Sequence, residues 1–195
     1  RDRGENVRRE ICLTLCEMGI RPESSHHEDG PGQNEIDFRY SDALSAADNA
    51  FTFPSVVRSV AMRNGLAADF SPKPLPDESG NGMHINLSLA KPHTETARDS
   101  FMAGLMEHIT EITAFLNPLP ASYARFGEHK APRYVTWSPE NRSQLIRIPA
   151  AKGEFERLEL RSPDPACNPY LAFTLILCAG LDGVKRGLVP PPPTN

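Results

Sequence analysis

Three short segments of this 195-residue chain alternate polar and apolar side chains with a period of two, which predicts strands buried on one face. Their polar faces carry carboxylates, one imidazole and arginines, whereas a face that meets only water is usually rich in lysine, serine and threonine. The three polar faces are Glu35, Asp37 and Arg39; His84, Asn86 and Ser88; and Arg157, Glu159 and Arg161. If the three strands share one sheet, these groups converge on one surface.

Carboxylates that converge repel one another unless a cation lies among them. Such a surface therefore predicts bound metal, with the arginines available for anionic ligands. Carboxylate ligands suit hard ions, and a single histidine such as His84 favours magnesium or manganese over calcium. For each strand taken singly, a polar face exposed to solvent is the alternative interpretation.

A turn signal can bring two of these carboxylates together. Glu28 and Glu35 flank a Gly-Pro-Gly segment at residues 30–32, which predicts a reversal of the chain. The reversal would form an oxygen-rich pocket beside His26 and His27. A hairpin with a chance acidic pair is the competing interpretation.

Two further segments carry groups suited to anions. A glycine-bearing loop at residues 77–82 leads into the strand that holds His84, and such loops let the backbone approach a ligand closely. Arg142 and Arg147 lie close together in the chain and Arg161 follows, which fits polyphosphate binding and charge stabilisation during phosphoryl transfer. An ordinary turn and a set of surface salt bridges are the alternatives.

Composition excludes several classes of function. The net charge is −4 and the basic residues are scattered, so nucleic acid is not an expected partner. The longest apolar run, at residues 171–181, is shorter than the ~20 residues that a membrane-spanning helix needs. The four cysteines lack the spacing of a disulfide scaffold or a zinc site, which favours a reduced, cytoplasmic protein.

Apolar residues at helical spacing predict four helices, at roughly residues 1–18, 42–64, 101–116 and 169–186. Asp42 or Ser41 caps the second helix, and Pro54 predicts a kink or a break within it. With the strands, this predicts an α+β fold with a curved, mostly antiparallel sheet that helices cover on one face. The length favours a single domain over residues 1–189, followed by a proline-rich tail at 190–195 that serves as a linker or marks the edge of the segment.

Several long motifs follow one another in a fixed order. They are HHE at 26–28, GPGQNE at 30–35, GMHINLSL at 82–89, NRS at 141–143, IRIP at 146–149, ELR at 159–161 with PD at 163–164, and NPYL at 168–171. Their order and spacing resemble the successive signatures of the glutamine synthetase family over nearly the whole chain. The resemblance implies the catalytic domain of that family.

The resemblance also implies a reaction and a set of ligands. The expected enzyme condenses glutamate with ammonium to give glutamine, with ATP and two Mg²⁺ or Mn²⁺ ions, through a γ-glutamyl phosphate. Glu28 and Glu35 resemble ligands of the first ion, and His84 and Glu159 resemble ligands of the second.

Other positions resemble substrate contacts of the family. The glutamate contacts are Gly80, Arg125 and Arg161. Arg142 and Arg147 resemble the residues that bind the phosphates of ATP and the phosphoryl group in transit, which makes Arg142 a catalytic candidate. The residues expected near the nucleotide are His26, Tyr40, Ser88 and Arg157.

The chain departs from the family pattern at three places. Lys130 stands where the family has a glutamate that accepts a proton from ammonium, and the segment 123–132 is one residue shorter. Glu128 is a possible substitute, so Glu128 and Lys130 are both catalytic candidates, and a γ-glutamyl ligase for another amine is the alternative function. Ser79 and Asn86 replace an asparagine of the glutamate loop and a histidine seen in many members.

The family also has a smaller N-terminal β-rich domain, and its active sites form between neighbouring subunits of a homo-oligomeric ring. That domain does not precede Arg1, so this segment alone is expected to be inactive. A non-catalytic relative with an assembly or sensing role is a further alternative. Clustered carboxylates are costly without a function, and their retention argues against it.

Overall fold

The computed structural model describes residues 4–90, 94–149 and 157–194. The chain forms two compact units, the first comprising 1–70 and 74–78 and the second 71–73 and 79–195. The division at residue 189 stays a prediction.

The first unit packs two helices against a hairpin. Helix α1 is Glu5–Glu17, strands β1 and β2 are Pro22–His27 and Asn34–Phe38, and helix α2 is Ala43–Arg63. The strands pair antiparallel, with His26 opposite Glu35 and His27 opposite Asn34, as the Gly-Pro-Gly turn predicts. The core of this unit is Ile11, Leu15, Ile20, Val56 and Val60.

Local chemistry explains the bounds of α2. The Asp42 carboxylate accepts a hydrogen bond from the Ser45 amide at 3.1 Å, which confirms Asp42 as the cap. The helix runs unbroken through Pro54, so the predicted break is wrong. Val56 and Val60 lie beyond the proline and are buried in the core, and this packing holds the helix together where one backbone hydrogen bond is lost.

The second unit contains a four-stranded sheet with two long helices. The strands are β3 Ile85–Leu87, β4 Trp137–Ser138, β5 Ile146–Arg147 and β6 Leu158–Leu160, in the order β3-β6-β5-β4. Of the strand pairs in this sheet that the described residues form, only β4–β5 is parallel. The helices are α3 Glu95–Leu116, the short α4 Pro120–Tyr123 and α5 Pro169–Arg186.

One face of this sheet is apolar and packs on the helices. Ile85, Ile146, Leu158 and Leu160 share a core with the buried residues of α3 and α5. The α+β class and the mostly antiparallel sheet are therefore confirmed. The idea that all three alternating strands share one sheet is wrong, because β2 pairs with β1 whereas β3 and β6 pair with each other. A strand joins the partner that its turn brings close, and β2 meets β1 through a short hairpin.

The predicted helices agree with the structure at their C-terminal ends to within about one residue, but α3 begins at Glu95 and not near residue 101. Helix α5 starts after Asn168, whose side-chain oxygen accepts from two backbone amides, and stops at Gly187, which has φ of 63°. Helix α1 covers most of its predicted span, and residues 1–3 lie outside the described residues. Across the described parts of the chain, the helices all fall short of the length and apolarity required to cross a bilayer.

Helices α3 and α5 approach each other through glycines. A Cβ added at Gly183 would lie 2.1 Å from the Ser100 carbonyl oxygen, and one added at Gly104 would lie 2.3 Å from that of Ala179. Both contacts are with backbone, which cannot move aside as a side chain can. The close approach of these helices therefore depends on the missing side chains.

We expect G183A to destabilise the protein by about 1–3 kcal/mol or more, because the new methyl group forces the two helices apart. The exposed Leu181 on the same helix provides the control, since L181A removes a larger group and should change stability by only about 0.5 kcal/mol. Urea denaturation followed by circular dichroism measures both. Equal stability of G183A and the wild type would contradict the glycine contact.

Candidate active site

A cluster of metal-binding groups lies on the hairpin of the first unit. His26, Glu28 and Glu35 each present a ligand atom, and these atoms lie within 4.8 Å of one another. The His26 Nε2 atom is 2.8 Å from Glu28 Oε1. The antiparallel register creates the cluster, because it sets His26 directly opposite Glu35.

The charge in this cluster is unbalanced. The pKa of Glu35 is raised to about 7, first by partial burial and then by the carboxylates of Asp37 and Glu28, while His26 opposes the shift. A carboxylate whose pKa is raised by its neighbours is stabilised in its charged form by a cation. The donor set of two carboxylates and one imidazole therefore fits a hard divalent ion.

Tyr40 lies just past β2 and is 87% exposed. Asp37 accepts a hydrogen bond from the Ser24 hydroxyl across the hairpin, so it is engaged on the strand pair itself. Of the residues proposed to contact the nucleotide, His26 belongs to the carboxylate cluster, whereas Tyr40 does not.

The centre of the second unit's polar face is Glu159, which is only 8% exposed. Its carboxylate accepts from Arg161 Nη1 at 2.6 Å and from Arg147 Nη1 at 3.0 Å. His84 Nδ1 lies 3.5 Å from Glu159 Oε1. Strand register explains the group, because Glu159 on β6 stands between Asn86 on β3 and Arg147 on β5.

His84 and Glu159 are thus adjacent, as two ligands of one ion need to be. Two guanidinium groups already share the Glu159 carboxylate, so a cation binding there would compete with them. An ion at this position would neutralise the carboxylate and leave the arginines for anionic ligands. The residues fit such an ion, with His84 and Glu159 as its donors.

Arg125 and Arg161 are buried, with 3% and 5% exposure. Burial lowers the pKa of Arg125 to about 10, an effect that Asp164 opposes and the charge of Arg161 increases. Burial also lowers the pKa of Arg161, and Glu159 opposes that change. Both guanidiniums remain charged near neutral pH.

Among the described residues, some donors of the site arginines meet no acceptor. Arg125 Nη2 donates to the carbonyl oxygens of Ser162 and Pro163 at 2.5 and 3.1 Å. The Nε atoms of Arg125, Arg147 and Arg161 are buried, yet they have no acceptor among the described residues. Buried N–H groups without acceptors are costly, and anionic ligands would satisfy them.

A buried polar network supports Arg125. The sequence motifs did not predict this network. Asn117 Nδ2 donates to the Ser162 carbonyl at 2.7 Å and to Asp164 Oδ2 at 2.9 Å. Asn117 and Asp164 are completely buried. A helix-ending asparagine gives no signal of such a role, although Asp164 belongs to the Pro-Asp motif that the sequence singled out.

Gly80 lies where the backbone of its loop meets other atoms closely. A Cβ there would lie 2.5 Å from the Pro72 carbonyl oxygen and 2.7 Å from Arg125 Cγ. The Gly80 backbone therefore packs against Pro72 and Arg125, and the approach of this loop to a ligand stays a prediction. These two proposed glutamate contacts are neighbours.

The loop that carries Arg142 is held by side-chain caps. Ser138 Oγ accepts from the amides of Glu140 and Asn141, each at 3.3 Å, and Asn141 Oδ1 accepts from the Ser143 amide at 2.9 Å. These caps turn the chain so that Arg142 is exposed. The pKa of Arg161 is lowered mainly by burial, and the charges of Arg147 and Arg142 add to this effect.

Two more nucleotide candidates lie at one end of the β3–β6 pair. Leu87 pairs with Leu158, so Ser88 and Arg157 follow and precede the paired residues at the same end. Both are exposed. Their positions leave them accessible to a ligand.

Glu128 and Lys130 lie on a tight turn after Arg125. Glu128 Oε2 accepts from Lys73 Nζ at 2.8 Å, and this ion pair lowers the pKa of Glu128. His129 between them has a positive φ of 51°. The carboxylate suggested as a proton acceptor is therefore engaged with a lysine, and its catalytic role stays a prediction.

Comparison with known proteins gives one family. The family model described as glutamine synthetase, catalytic domain, matches residues 1–195. The glutamine synthetase of Methanosarcina mazei is 50% identical over 207 aligned positions, which cover 100% of this chain and 46% of that protein. The glutamine synthetase of Thermus thermophilus is 47% identical, with 98% and 46% covered.

Solved structures agree with these sequence matches. GmaS in complex with ADP has a TM-score of 0.87 at 36% identity, over 99% of this chain and 48% of that one. The cryo-EM structure of Plasmodium falciparum glutamine synthetase has a TM-score of 0.89 at 31% identity, over 95% and 39%. These matches show that the chain is a catalytic domain of the ligase class.

The chain belongs to the glutamine synthetase family. It spans less than half the length of the curated relatives named above, at 46% of each.

The hairpin cluster makes a prediction about metal binding. We expect E35Q to weaken Mn²⁺ binding about tenfold or more, because it removes one carboxylate donor. Mn²⁺ must displace the Glu35 proton in the wild type. Its affinity for Mn²⁺ should therefore rise by up to about tenfold per pH unit as the pH approaches 7, and should then level off.

Calorimetric titration of the metal-free, full-length gene product with Mn²⁺ measures both effects. E23Q is the matched control, because Glu23 is an exposed carboxylate on the same hairpin. Unchanged Mn²⁺ affinity in E35Q would exclude Glu35 as a ligand.

Proposed function

We propose that this chain is the catalytic part of a ligase that activates the side-chain carboxylate of glutamate with ATP and joins it to ammonia. The proposal rests on Arg125, Arg147 and Arg161, whose Nε atoms are buried without an acceptor among the described residues, and two of which donate to Glu159. Such donors call for anionic ligands, and glutamate and the phosphates of ATP are anions that bidentate guanidinium groups bind well.

The proposed glutamate site uses buried groups. Arg161 and Arg125 would hold the carboxylates of the substrate, and Gly80 would let the loop backbone approach it. Their burial supports this role, because a charge–charge hydrogen bond is stronger where water is excluded. The buried Asn117 network fixes Arg125 before the substrate arrives.

The proposed nucleotide site uses more exposed groups. Arg142 and Arg147 would contact the phosphates and stabilise the charge that develops on the transferred phosphoryl group. His26, Tyr40, Ser88 and Arg157 are the further nucleotide contacts that the family resemblance suggests.

Glu28 and Glu35 would hold one Mg²⁺ or Mn²⁺ ion, with His26 adjacent, and His84 and Glu159 would hold another. When bound, such ions supply charge neutralisation for the phosphates and orient the reacting groups. The raised pKa of Glu35 supports the first site, and the contact of His84 with Glu159 supports the second.

The chain spans about half of its relatives, so the remaining requirements are also proposals. We infer that activity requires the parts that the relatives have in addition, and that the active protein assembles as a homo-oligomeric ring. The isolated segment is then expected to be inactive.

Lys130 favours a second candidate, a γ-glutamyl ligase for another amine. A cation near the acceptor position would repel ammonium. An amine that carries its own negative charge would instead be attracted. Glutamate activation is common to both candidates, which differ only in the acceptor.

The first test concerns phosphoryl transfer. In the full-length gene product, R142Q should lower kcat for glutamate-dependent phosphate release by about 100-fold, because it removes a donor to the developing charge. R186Q is the control, since Arg186 forms only exposed ion pairs with Glu107 and Asp182 in the described structure. A kcat for R142Q equal to that of R186Q would remove Arg142 from the mechanism.

The second test concerns the acceptor. K130E should lower the KM for ammonium about tenfold if the lysine charge excludes it, whereas K185E makes the same charge change on an exposed part of α5 and should have no effect. Steady-state kinetics with ammonium and a panel of amines measure this. Efficient use of ammonium by the wild type, unchanged in K130E, would reject the second candidate.

A further inference from the structure

Lys73 in the second unit is a half-buried residue whose side chain is largely covered. Its side chain is only 6% exposed, whereas that of its partner Glu128 is 54% exposed. The Lys73 Nζ donates to Glu128 Oε2 at 2.8 Å, and the two residues are 55 positions apart in the chain. A lysine is rarely buried to this extent unless its charge is paired.

The segment around Lys73 is bonded to the loop that contains Gly80. The Asn81 amide donates to the Pro72 carbonyl at 2.9 Å, and Asn81 Nδ2 donates to the Ser71 carbonyl at 2.8 Å. Pro72 is fully buried. Residues 71–73 therefore form the support on which this loop lies.

Arg125 contacts the same support. An added Cβ at Gly80 would meet both the Pro72 carbonyl oxygen and Arg125 Cγ within 2.7 Å. Gly80 is thus packed between the Pro72 carbonyl and the Arg125 side chain, with no space for a larger residue. A shift of residues 71–73 would move the other two.

Glu128 connects this support to Arg125 through the backbone. The Glu128 amide lies 3.3 Å from the Arg125 carbonyl, and Ala131 donates back to the Glu128 carbonyl at 3.0 Å. Within this turn, Gly127 and His129 both have positive φ. A non-glycine residue with positive φ persists when its surroundings hold it.

We propose that the Lys73–Glu128 ion pair is a latch that positions Arg125 and the Gly80 loop for the substrate carboxylate. Lys73 and Glu128 are then positioning residues, since they act through Arg125 and Gly80. This inference rests on the proposed function, in which those two residues contact glutamate. It assigns Glu128 a role different from proton transfer.

A latch role and a proton-acceptor role for Glu128 predict different kinetics when Lys73 is mutated. If Glu128 is a latch, E128Q and K73M break the same contact, and both raise the KM for glutamate about tenfold while the KM for ATP stays within about twofold. If Glu128 is a proton acceptor, E128Q lowers kcat, whereas K73M releases the carboxylate and leaves it able to act.

Steady-state kinetics of the full-length gene product decide between them. The reversed pair K73E/E128K should recover part of the glutamate KM that E128K alone loses. E107Q is the control, because it breaks an exposed ion pair with Arg186. An unchanged glutamate KM in both E128Q and K73M overturns the latch, and so does an equal rise in the KM for ATP.

Hydrogen exchange tests the latch even if glutamate is not the substrate. Wild-type protein without glutamate-dependent turnover would overturn the proposed function, and the latch would then be judged on exchange alone. E128Q should speed exchange of the Asn81 amide and of amides 127–131, since the support is released. Exchange identical to that of E107Q at these amides overturns the latch.

Discussion

The buried carboxylate of Glu159 is the constraint on which the second unit depends. A charge with 8% exposure loses most of its hydration, and it persists because Arg147 and Arg161 donate to it. The Nε donors of these arginines meet no acceptor in the part of the chain that the structure describes, so they stay available after Glu159 is neutralised. The same interaction therefore preserves the polar face of the sheet and leaves it ready for anions.

That polar face requires a rigid apolar face behind it. Ile85, Ile146, Leu158 and Leu160 pack on α3 and α5, which approach each other at Gly104 and Gly183. Because side chains alternate along a strand, fixing the apolar residues also fixes the direction of Glu159 and Arg147. A loss of packing between the helices would thus disturb the site chemistry on the opposite face.

The first unit has the opposite electrostatic problem. Its hairpin places Glu28 and Glu35 together, and the pKa of Glu35 rises to about 7 through partial burial and the charges of Asp37 and Glu28. Near neutral pH a proton occupies this cluster for part of the time, and a divalent ion would replace it. The carboxylates of both units require neutralisation. Guanidinium groups supply it in the second unit, and the first unit offers a site for a cation.

The sequence by itself determined the helices, the hairpin and the α+β class, because periodicity, caps and turn residues act between positions close in the chain. It also identified Glu28, Glu35, Glu159 and the arginines through their motifs. Only the tertiary structure decided which strands pair, that Glu159 stands between Asn86 and Arg147, and that Lys73 reaches Glu128. Those contacts join residues far apart in the chain, and they depend on burial and strand register, which no local pattern specifies.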